Sequence, residues 1–216
     1  MARKQKKRKR KLKEVSAIVV DGKTEVWYFK KLAKHENSNT RRINIKPELP
    51  KTNTLLNQYN TVLSLLDEGY KWVFWLIDFD VILKEQKLWN KQGESPIQKL
   101  RKYCSKLETE KRSKVYFNVP CLEFWFLLHF KPSGKFYENC DAPTKELKKL
   151  FDGYRKSNEF YNKADNDIYL KLRPMLSDAR SNASKLGSFD FNDYQKAKSE
   201  VYKIFEDLGI EVDSED

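Results

Sequence analysis

Three aspartates in this sequence stand directly after strongly apolar runs, where carboxylates could bind a metal ion. Asp21 follows the run at 17–20, and Asp78 and Asp80 follow the run at 72–77. If both runs are strands of one open parallel sheet, their carboxyl ends meet at the edge where such sheets bind ligands. The three carboxylates would then converge on one site. Taken singly, an Asp-X-Asp sequence is more often a turn or a helix cap, and Asp21 before a glycine is compatible with an ordinary loop.

The chemistry that such a site favours is phosphoryl transfer with a hard divalent cation. Mg²⁺ prefers oxygen ligands and keeps several positions for water and substrate phosphate, and Mn²⁺ can take its place. Gly22 would let the backbone approach a phosphate, and the helix expected from Lys23 onward would present its positive end. We therefore predict Mg²⁺ as the cofactor and Lys23 as a substrate contact. The alternative for Lys23 is a solvated lysine at a helix start.

The elements that must position these residues alternate between strand and helix. Four short apolar runs predict buried strands, and the stretches between them have helical spacing. Such alternation predicts an α/β fold with a mainly parallel, Rossmann-like sheet flanked by helices. The predicted strands are Val15–Val20, Arg42–Lys46, Trp72–Ile77 and Lys114–Val119.

The end of the chain has a different pattern. From Ala142 onward only helical spacing is found, with Asp141 and Asn192 as candidate helix caps. We expect helices over 168–186 and 194–208. The predicted organisation is an N-terminal arm at 1–13, an α/β domain at 14–140 and a C-terminal helical region at 141–210 packed on it.

Charge is concentrated at the N-terminus. The net charge is +12, but nine basic residues lie in the first thirteen, so the rest of the chain carries about +3. Such an arm can grip a phosphate backbone without reading bases, or it can be a solubilising tail. We predict a nucleic-acid contact through it. The basic residues assigned to substrate binding are Arg3, Lys4, Lys6, Lys7, Arg8, Lys9 and Arg10.

The cysteines and the hydropathy indicate the cellular compartment in which the protein is expected. Cys104, Cys121 and Cys140 are odd in number and lack metal-ligand spacing, which favours reduced thiols in the cytoplasm. No segment approaches the ~20 apolar residues of a membrane span, and the apolar run after the basic arm is too short for a signal peptide. We therefore expect a cytoplasmic protein that does not enter a membrane.

Three motifs in order resemble the RloB-like family, a Toprim-type group found near bacterial defence systems. The first strand is followed by Asp21-Gly22-Lys23-Thr24-Glu25 and then Tyr28-Phe29, which resembles the family's Glu-Gly-X-Thr-Glu block. Asp78-Phe79-Asp80 resembles its Asp-X-Asp block. The run from Asn118-Val119-Pro120-Cys121-Leu122-Glu123 to His129-Phe130 resembles its Asn-Pro-Cys-X-Glu block. The resemblance covers residues 3–135, and more weakly 178–186.

The resemblance implies a Toprim fold with Mg²⁺ at Asp21, Asp78 and Asp80. It further implies a nuclease that cleaves RNA, including tRNA, or DNA, acting as a toxic effector in anti-phage defence. An ATPase partner follows by analogy alone. Two departures stand out: Asp21 replaces the usual glutamate, and Val119 is inserted before the proline. The shorter side chain alters the metal geometry or the acid–base reach expected there, and the insertion shifts the loop that holds the proline.

Two further acids and a histidine are candidates beside the aspartates. Glu123 lies in an aromatic run, where a charge is costly unless it is paired or bound to a metal. Glu25 or Glu123 would assist proton transfer or shape the site, so both join Asp21, Asp78 and Asp80 as catalytic candidates. His129 is a substrate-contact candidate through the family block, although a lone histidine there is usually structural.

Two other functions remain open on the sequence. The chain could be a non-catalytic nucleic-acid-binding or regulatory module in which Asp21 marks a degenerate site. It could also be a Toprim enzyme of strand passage or priming, but the sequence shows no active-site tyrosine context or additional domain for that chemistry. Dependence on Mg²⁺ separates the nuclease from the binding module.

Overall fold

The computed structural model describes residues 13–38, 41–46, 54–163 and 165–211. The basic arm that contains Arg3 to Arg10 lies outside the described residues, so its contact with nucleic acid stays a prediction. Among the described residues, no helix combines the length and the apolar composition that a membrane crossing requires.

The described residues form a five-stranded sheet with helices on both faces. In chain order the elements are β1 (Lys13–Val19), α1 (Lys23–Glu36), β2 (Ile43–Lys46), α2 (Leu55–Asp67), β3 (Tyr70–Asp78), α3 (Phe79–Leu88), α4 (Pro96–Glu108), β4 (Ser113–Val119), α5 (Leu122–Leu128), α6 (Asp141–Leu150), α7 (Asn158–Asn162), α8 (Ile168–Leu172), a 3₁₀ turn (Arg173–Met175), α9 (Leu176–Ser184), β5 (Lys198–Ser199) and α10 (Val201–Asp207).

The sheet order is β2-β1-β3-β4-β5. The pairs β1–β2, β1–β3 and β3–β4 are parallel, and β4–β5 is antiparallel. The expectation of an α/β fold with a mainly parallel sheet and a C-terminal helical region is therefore confirmed. Because β1 and β3 are neighbours, the loops after them open at the same edge of the sheet.

Strand alternation divides the core between the two faces of the sheet. Ile18 and Phe74 point to the face covered by α1, α5 and the C-terminal helices. Val19 and Trp75 point to the opposite face, which α2, α3 and α4 cover. The strands are buried on both faces, so they appear in the sequence as continuous apolar runs. This burial fixes the strand ends on which the site is built.

Two predicted C-terminal helices are wrong in their extent. The helix expected over 168–186 is divided, because Pro174 cannot continue an α-helix and lies in the 3₁₀ turn. The helix expected over 194–208 begins only at Val201, and Asn192 caps nothing. Residues 198–199 form β5 instead, and the buried carboxylate of Glu200 accepts the backbone N–H of Phe117 at 3.1 Å. Tertiary pairing with β4 overrides the helical spacing there.

Candidate metal and catalytic site

The acids after β1 and β3 come together at one edge of the sheet. Asp21 lies two residues beyond β1, Glu25 is in the first turn of α1, and Asp78 ends β3. One carboxylate oxygen from each of the three lies within 4.8 Å of the other two. We call Asp21, Glu25 and Asp78 the acid triad. All three residues are candidates on the sequence, with Glu25 as a residue that assists proton transfer or shapes the site and not as a ligand.

Gly22 makes room for the Glu25 carboxylate. Its backbone has φ −129° and ψ 166°, an extended conformation that any residue can adopt. A Cβ atom at this position would lie 3.2 Å from Cδ of Glu25 and closer still to Oε2. The glycine therefore leaves space for this placement of the Glu25 carboxylate, and its backbone conformation does not call for a glycine. The room that we expected a phosphate to use is occupied by Glu25.

Asp78 is anchored through its side chain to β4 and to the start of α5. Asn118 Nδ2 and the backbone N–H of Leu122 each donate to its carboxylate at 3.1 Å. The hydroxyl of Ser199 in β5 donates to Asn118 Oδ1 at 2.8 Å and so orients that amide. Although Asp78 is the N-cap residue of α3, its side chain makes no capping hydrogen bond. The alternative of a simple helix cap therefore does not describe this aspartate.

Asp80 lies beside the triad without being one of its members. It is the second residue of α3, and its backbone N–H donates to the Pro120 carbonyl at 3.1 Å. Its side chain is partly exposed, and the backbone N–H groups of Val81 and Cys140 hydrogen-bond to it. The Phe79 side chain between the two aspartates is buried against Phe117 and Phe189, which fixes the start of α3.

Glu123 forms a second acidic centre with its own partners. It is fully buried, and its Oε1 accepts the Tyr154 hydroxyl at 2.9 Å and lies 3.0 Å from Lys156 Nζ. The hydroxyl of Tyr161 lies 3.1 Å from that of Tyr154 and extends the network. Lys156 also lowers the pKa values of Asp21, Glu25 and Asp80, so it is electrostatically coupled to the triad.

The expectation of three reduced cysteines is wrong for two of them. Cys121, the N-cap residue of α5, and Cys140, the N-cap residue of α6, form a disulfide with a Cα–Cα distance of 5.8 Å. Cys104 is free and buried. Packing of α5 against α6 brings together two cysteines that are 19 positions apart. The disulfide removes the thiol argument for the cytoplasm, and that location stays a prediction.

The electrostatics of the triad are dominated by burial and mutual repulsion. Burial, Glu25 and Asp80 raise the pKa of Asp21 well above its ordinary value. Burial, Glu25, Asp21 and Asp80 do the same to the pKa of Asp78. The pKa of Glu25 rises to about 7, through burial and then through the charge of Glu123. Three ionised carboxylates this close are unfavourable unless a positive charge offsets them.

The triad fits a hard divalent cation. Carboxylate oxygens are the ligands that Mg²⁺ and Mn²⁺ prefer, and a site with few protein ligands leaves positions for water and phosphate. The Cys121, Glu123 and Cys140 donor atoms also lie within 4.8 Å of one another, but the two sulfurs are bonded to each other there. Asp21, Glu25 and Asp78 are thus the residues that can hold Mg²⁺, with Asp80 adjacent.

The two predicted substrate contacts among the described residues, Lys23 and His129, lie in different environments. Lys23 is exposed at the first position of α1, beside the triad. His129 is buried, its Nδ1 lies 3.0 Å from the Trp125 carbonyl, and burial lowers its pKa to about 4. Within the described part of the chain its Nε2 has no hydrogen-bond partner. These contacts place His129 in the core around α5, and its substrate role stays a prediction.

Lys156, Tyr154 and Ser199 belong to the site without having been predicted from the sequence. Lys156 lies between α6 and α7, in a segment whose lysines look alike in the sequence. Ser199 lies in the short β5 strand that helical spacing concealed. Asn118 belongs to the third motif, but no role was predicted for it. Its position near the end of β4 was the feature that could have indicated one. The contacts of these four residues each join segments that are far apart in the chain.

The family comparison agrees with the motifs. A family model described as "RloB-like protein" matches residues 16–208. Searches of curated proteins and of solved structures gave no match. The matched region includes the acid triad, Asp80, Glu123 and Lys156 and extends through α10. The chain therefore belongs to the RloB-like protein family.

Proposed function

We propose that this protein is a Mg²⁺-dependent nuclease that hydrolyses phosphodiester bonds in RNA or DNA. The observation that carries the proposal is the convergence of the Asp21, Glu25 and Asp78 carboxylates at the ends of adjacent parallel strands. Mg²⁺, or Mn²⁺ in its place, would supply charge neutralisation of the scissile phosphate and activation of water. The triad is the ligand set that we propose for that ion.

We assign the remaining catalytic roles to Lys156 and Asp80. Lys156 is about half exposed, and the acids around it outweigh the effect of burial and raise its pKa, so it stays charged and can contact a substrate phosphate. Asp80 lies outside the triad, is partly exposed and has a raised pKa, mainly through burial. We assign to Asp80 the acceptance of a proton from the attacking water, because a base works best with a pKa nearer the operating pH.

The test is cleavage of total RNA, tRNA, plasmid and single-stranded DNA with Mg²⁺, Mn²⁺ or EDTA. Asp78→Asn should lose both cleavage and the rise in melting temperature on Mg²⁺ addition. Asp80→Asn should lose cleavage and keep that rise. Glu85→Gln, an exposed change on α3, is the matched control and should behave as the native protein does.

Two outcomes would overturn this assignment. Cleavage that persists in EDTA and in Asp78→Asn would exclude the triad as the working site. Nucleic-acid binding without Mg²⁺-dependent cleavage of any of these substrates would favour the non-catalytic binding module.

A role in anti-phage defence and an ATPase partner are extensions of this proposal that the family resemblance suggests. The expected result is protection of cells against phage by the native gene and none by Asp78→Asn at equal protein level. Equal protection by both would separate the defence role from the nuclease.

A further inference from the structure

One face of α1 carries two lysines and a tryptophan next to the acid triad. Lys23, Val26, Trp27 and Lys30 have the spacing i, i+3, i+4 and i+7, so they share one side of the helix. They line a cavity of about 590 Å³ whose opposite wall is formed by the segment 156–158. We call this cavity the α1 groove. Its volume lies in the range of pockets that bind small ligands, about 300–1,000 Å³.

The α1 groove is positively charged. Lys23, Lys30 and Lys156 line it, and its described lining includes no carboxylate. Lys23 and Lys30 are exposed and form no ion pair with a carboxylate among the described residues. They are two helical turns apart, about 10 Å along the axis, which allows contact with more than one phosphate of a strand. A second cavity, lined in part by Arg155, has Asp152, Glu159 and Asp165 in its wall and lacks this single sign of charge.

Trp27 supplies a stacking surface in this charged groove. Unlike its neighbours Tyr28 and Phe29, which are fully buried, Trp27 is partly exposed and lines the cavity. Its ring contacts the buried Tyr161 ring with a centroid distance of 5.2 Å, which restrains its orientation. Proteins that bind single strands combine basic grooves with such aromatic surfaces, because each unpaired base offers a face for stacking.

The α1 groove adjoins the acidic residues through Lys156 and Tyr161. Lys156 lines the groove and lies 3.0 Å from Glu123. Tyr161, which contacts Trp27, is joined through the Tyr154 hydroxyl to the same glutamate. A strand with a phosphate at the acid triad could therefore place a neighbouring nucleotide in the α1 groove.

We propose that the α1 groove binds an unpaired nucleotide of single-stranded nucleic acid, with its base stacked on Trp27 and its phosphates contacted by Lys23, Lys30 and Lys156. The site thereby selects single strands over duplexes, since a paired base is already stacked between its neighbours. The placement beside the scissile phosphate rests on the proposed nuclease function. Binding itself does not, so it is measured without metal.

The experiment uses the full chain in EDTA and fluorescence anisotropy of labelled 12-mers as single-stranded RNA, single-stranded DNA and a DNA duplex. Trp27→Leu keeps an apolar contact for Tyr161 and removes the stacking surface. It should weaken single-strand binding roughly fivefold or more and leave duplex binding unchanged. Trp27→Phe should restore part of the loss. Lys30→Gln should lower the salt dependence for single strands by about 0.7 in log–log slope.

Matched controls are Trp89→Leu, a partly buried tryptophan after α3, and Lys99→Gln, an exposed lysine on α4. Both should bind as the native protein does. Unchanged single-strand affinity in Trp27→Leu, or an equal loss for duplex and single strand, would overturn the proposal. The RNA and DNA arms show which sugar the groove accepts. Loss of binding in Trp27→Leu, whether or not the native protein cleaves with Mg²⁺, would support the groove independently of the nuclease.

Discussion

Two buried acidic centres lie side by side in this protein and differ in how their charge is compensated. At the first, oxygens of the Asp21, Glu25 and Asp78 carboxylates lie within 4.8 Å of one another, and burial together with neighbouring carboxylates raises their pKa values. At the second, Glu123 has a phenol donor in Tyr154 and a cation in Lys156. Glu123 therefore has its own cation in Lys156, whereas for the triad we propose bound Mg²⁺ as the compensating charge.

The largest effect on cleavage is expected from replacing Asp21, the acid at the position where the resembling motif has a glutamate. Asp21→Asn should reduce Mg²⁺-dependent cleavage about a thousandfold, because loss of a ligand removes several kcal/mol of charge stabilisation. Asp21→Glu keeps the charge and should still bind Mg²⁺, as measured by calorimetry. An active Asp21→Asn enzyme would remove Asp21 from the ligand set.

The triad should also make stability depend on pH and metal. Because the folded state holds the Glu25 proton more tightly than the unfolded chain does, stability without metal should fall as pH rises from about 4.5 through about 7. For Glu25 the loss is of the order of 3 kcal/mol. Added Mg²⁺ should offset this loss of stability above pH 7, as measured by urea unfolding. A metal-free protein equally stable at pH 5 and pH 8 would contradict the raised pKa of Glu25 in the folded state.

Near the second centre, the Cys121–Cys140 disulfide should stabilise the fold. It closes a loop with a sequence separation of 19, for which the loss of unfolded-chain entropy amounts to about 3 kcal/mol. Reductant should lower the free energy of unfolding by that amount. The Cys121→Ala/Cys140→Ala double variant should be insensitive to reductant, and a reductant effect on it would assign the change to another cause.

Replacing one glutamate in each centre should give changes of opposite sign. Glu123→Gln leaves Lys156 without its buried partner and should destabilise the metal-free protein by about 2 kcal/mol at pH 8, less than for a fully buried pair. Glu25→Gln removes a repelling charge and should stabilise it under the same conditions. Glu85→Gln on α3 should change stability by less than about 0.5 kcal/mol. Stability changes of the same sign in Glu123→Gln and Glu25→Gln would contradict the distinction between the two centres.

The smallest effect is expected where β5 supports the triad from a distance. Ser199→Ala removes the hydroxyl that orients Asn118 and should cost about 1 kcal/mol of stability. Because Asn118 donates to Asp78, Mg²⁺ affinity should fall roughly tenfold as well. Ser105→Ala, on the exposed side of α4, is the control. Unchanged Mg²⁺ affinity in Ser199→Ala would limit Ser199 to a packing role.

Local sequence was sufficient for the first four strands of the described residues and for most of the site, but not for β5. Strands buried on both faces are continuous apolar runs, so β1, β3 and β4 were predictable, and the acids that follow them had to lie at the ends of those strands. Asp21 and Asp78 belong to the triad for this reason. The C-terminal helices were less predictable, because Pro174 divides one of them and pairing with β4 removes the start of another.

The sequence alone determined the α/β class, the family and the acids at the strand ends, since these depend on short segments whose residues are close in the chain. Only the tertiary structure decided that Glu25 and not Asp80 completes the triad, because that depends on how α1 is placed relative to the end of β3. It also decided the Cys121–Cys140 bond and the position of Lys156. These contacts join segments between 19 and 131 positions apart, and no local pattern encodes them.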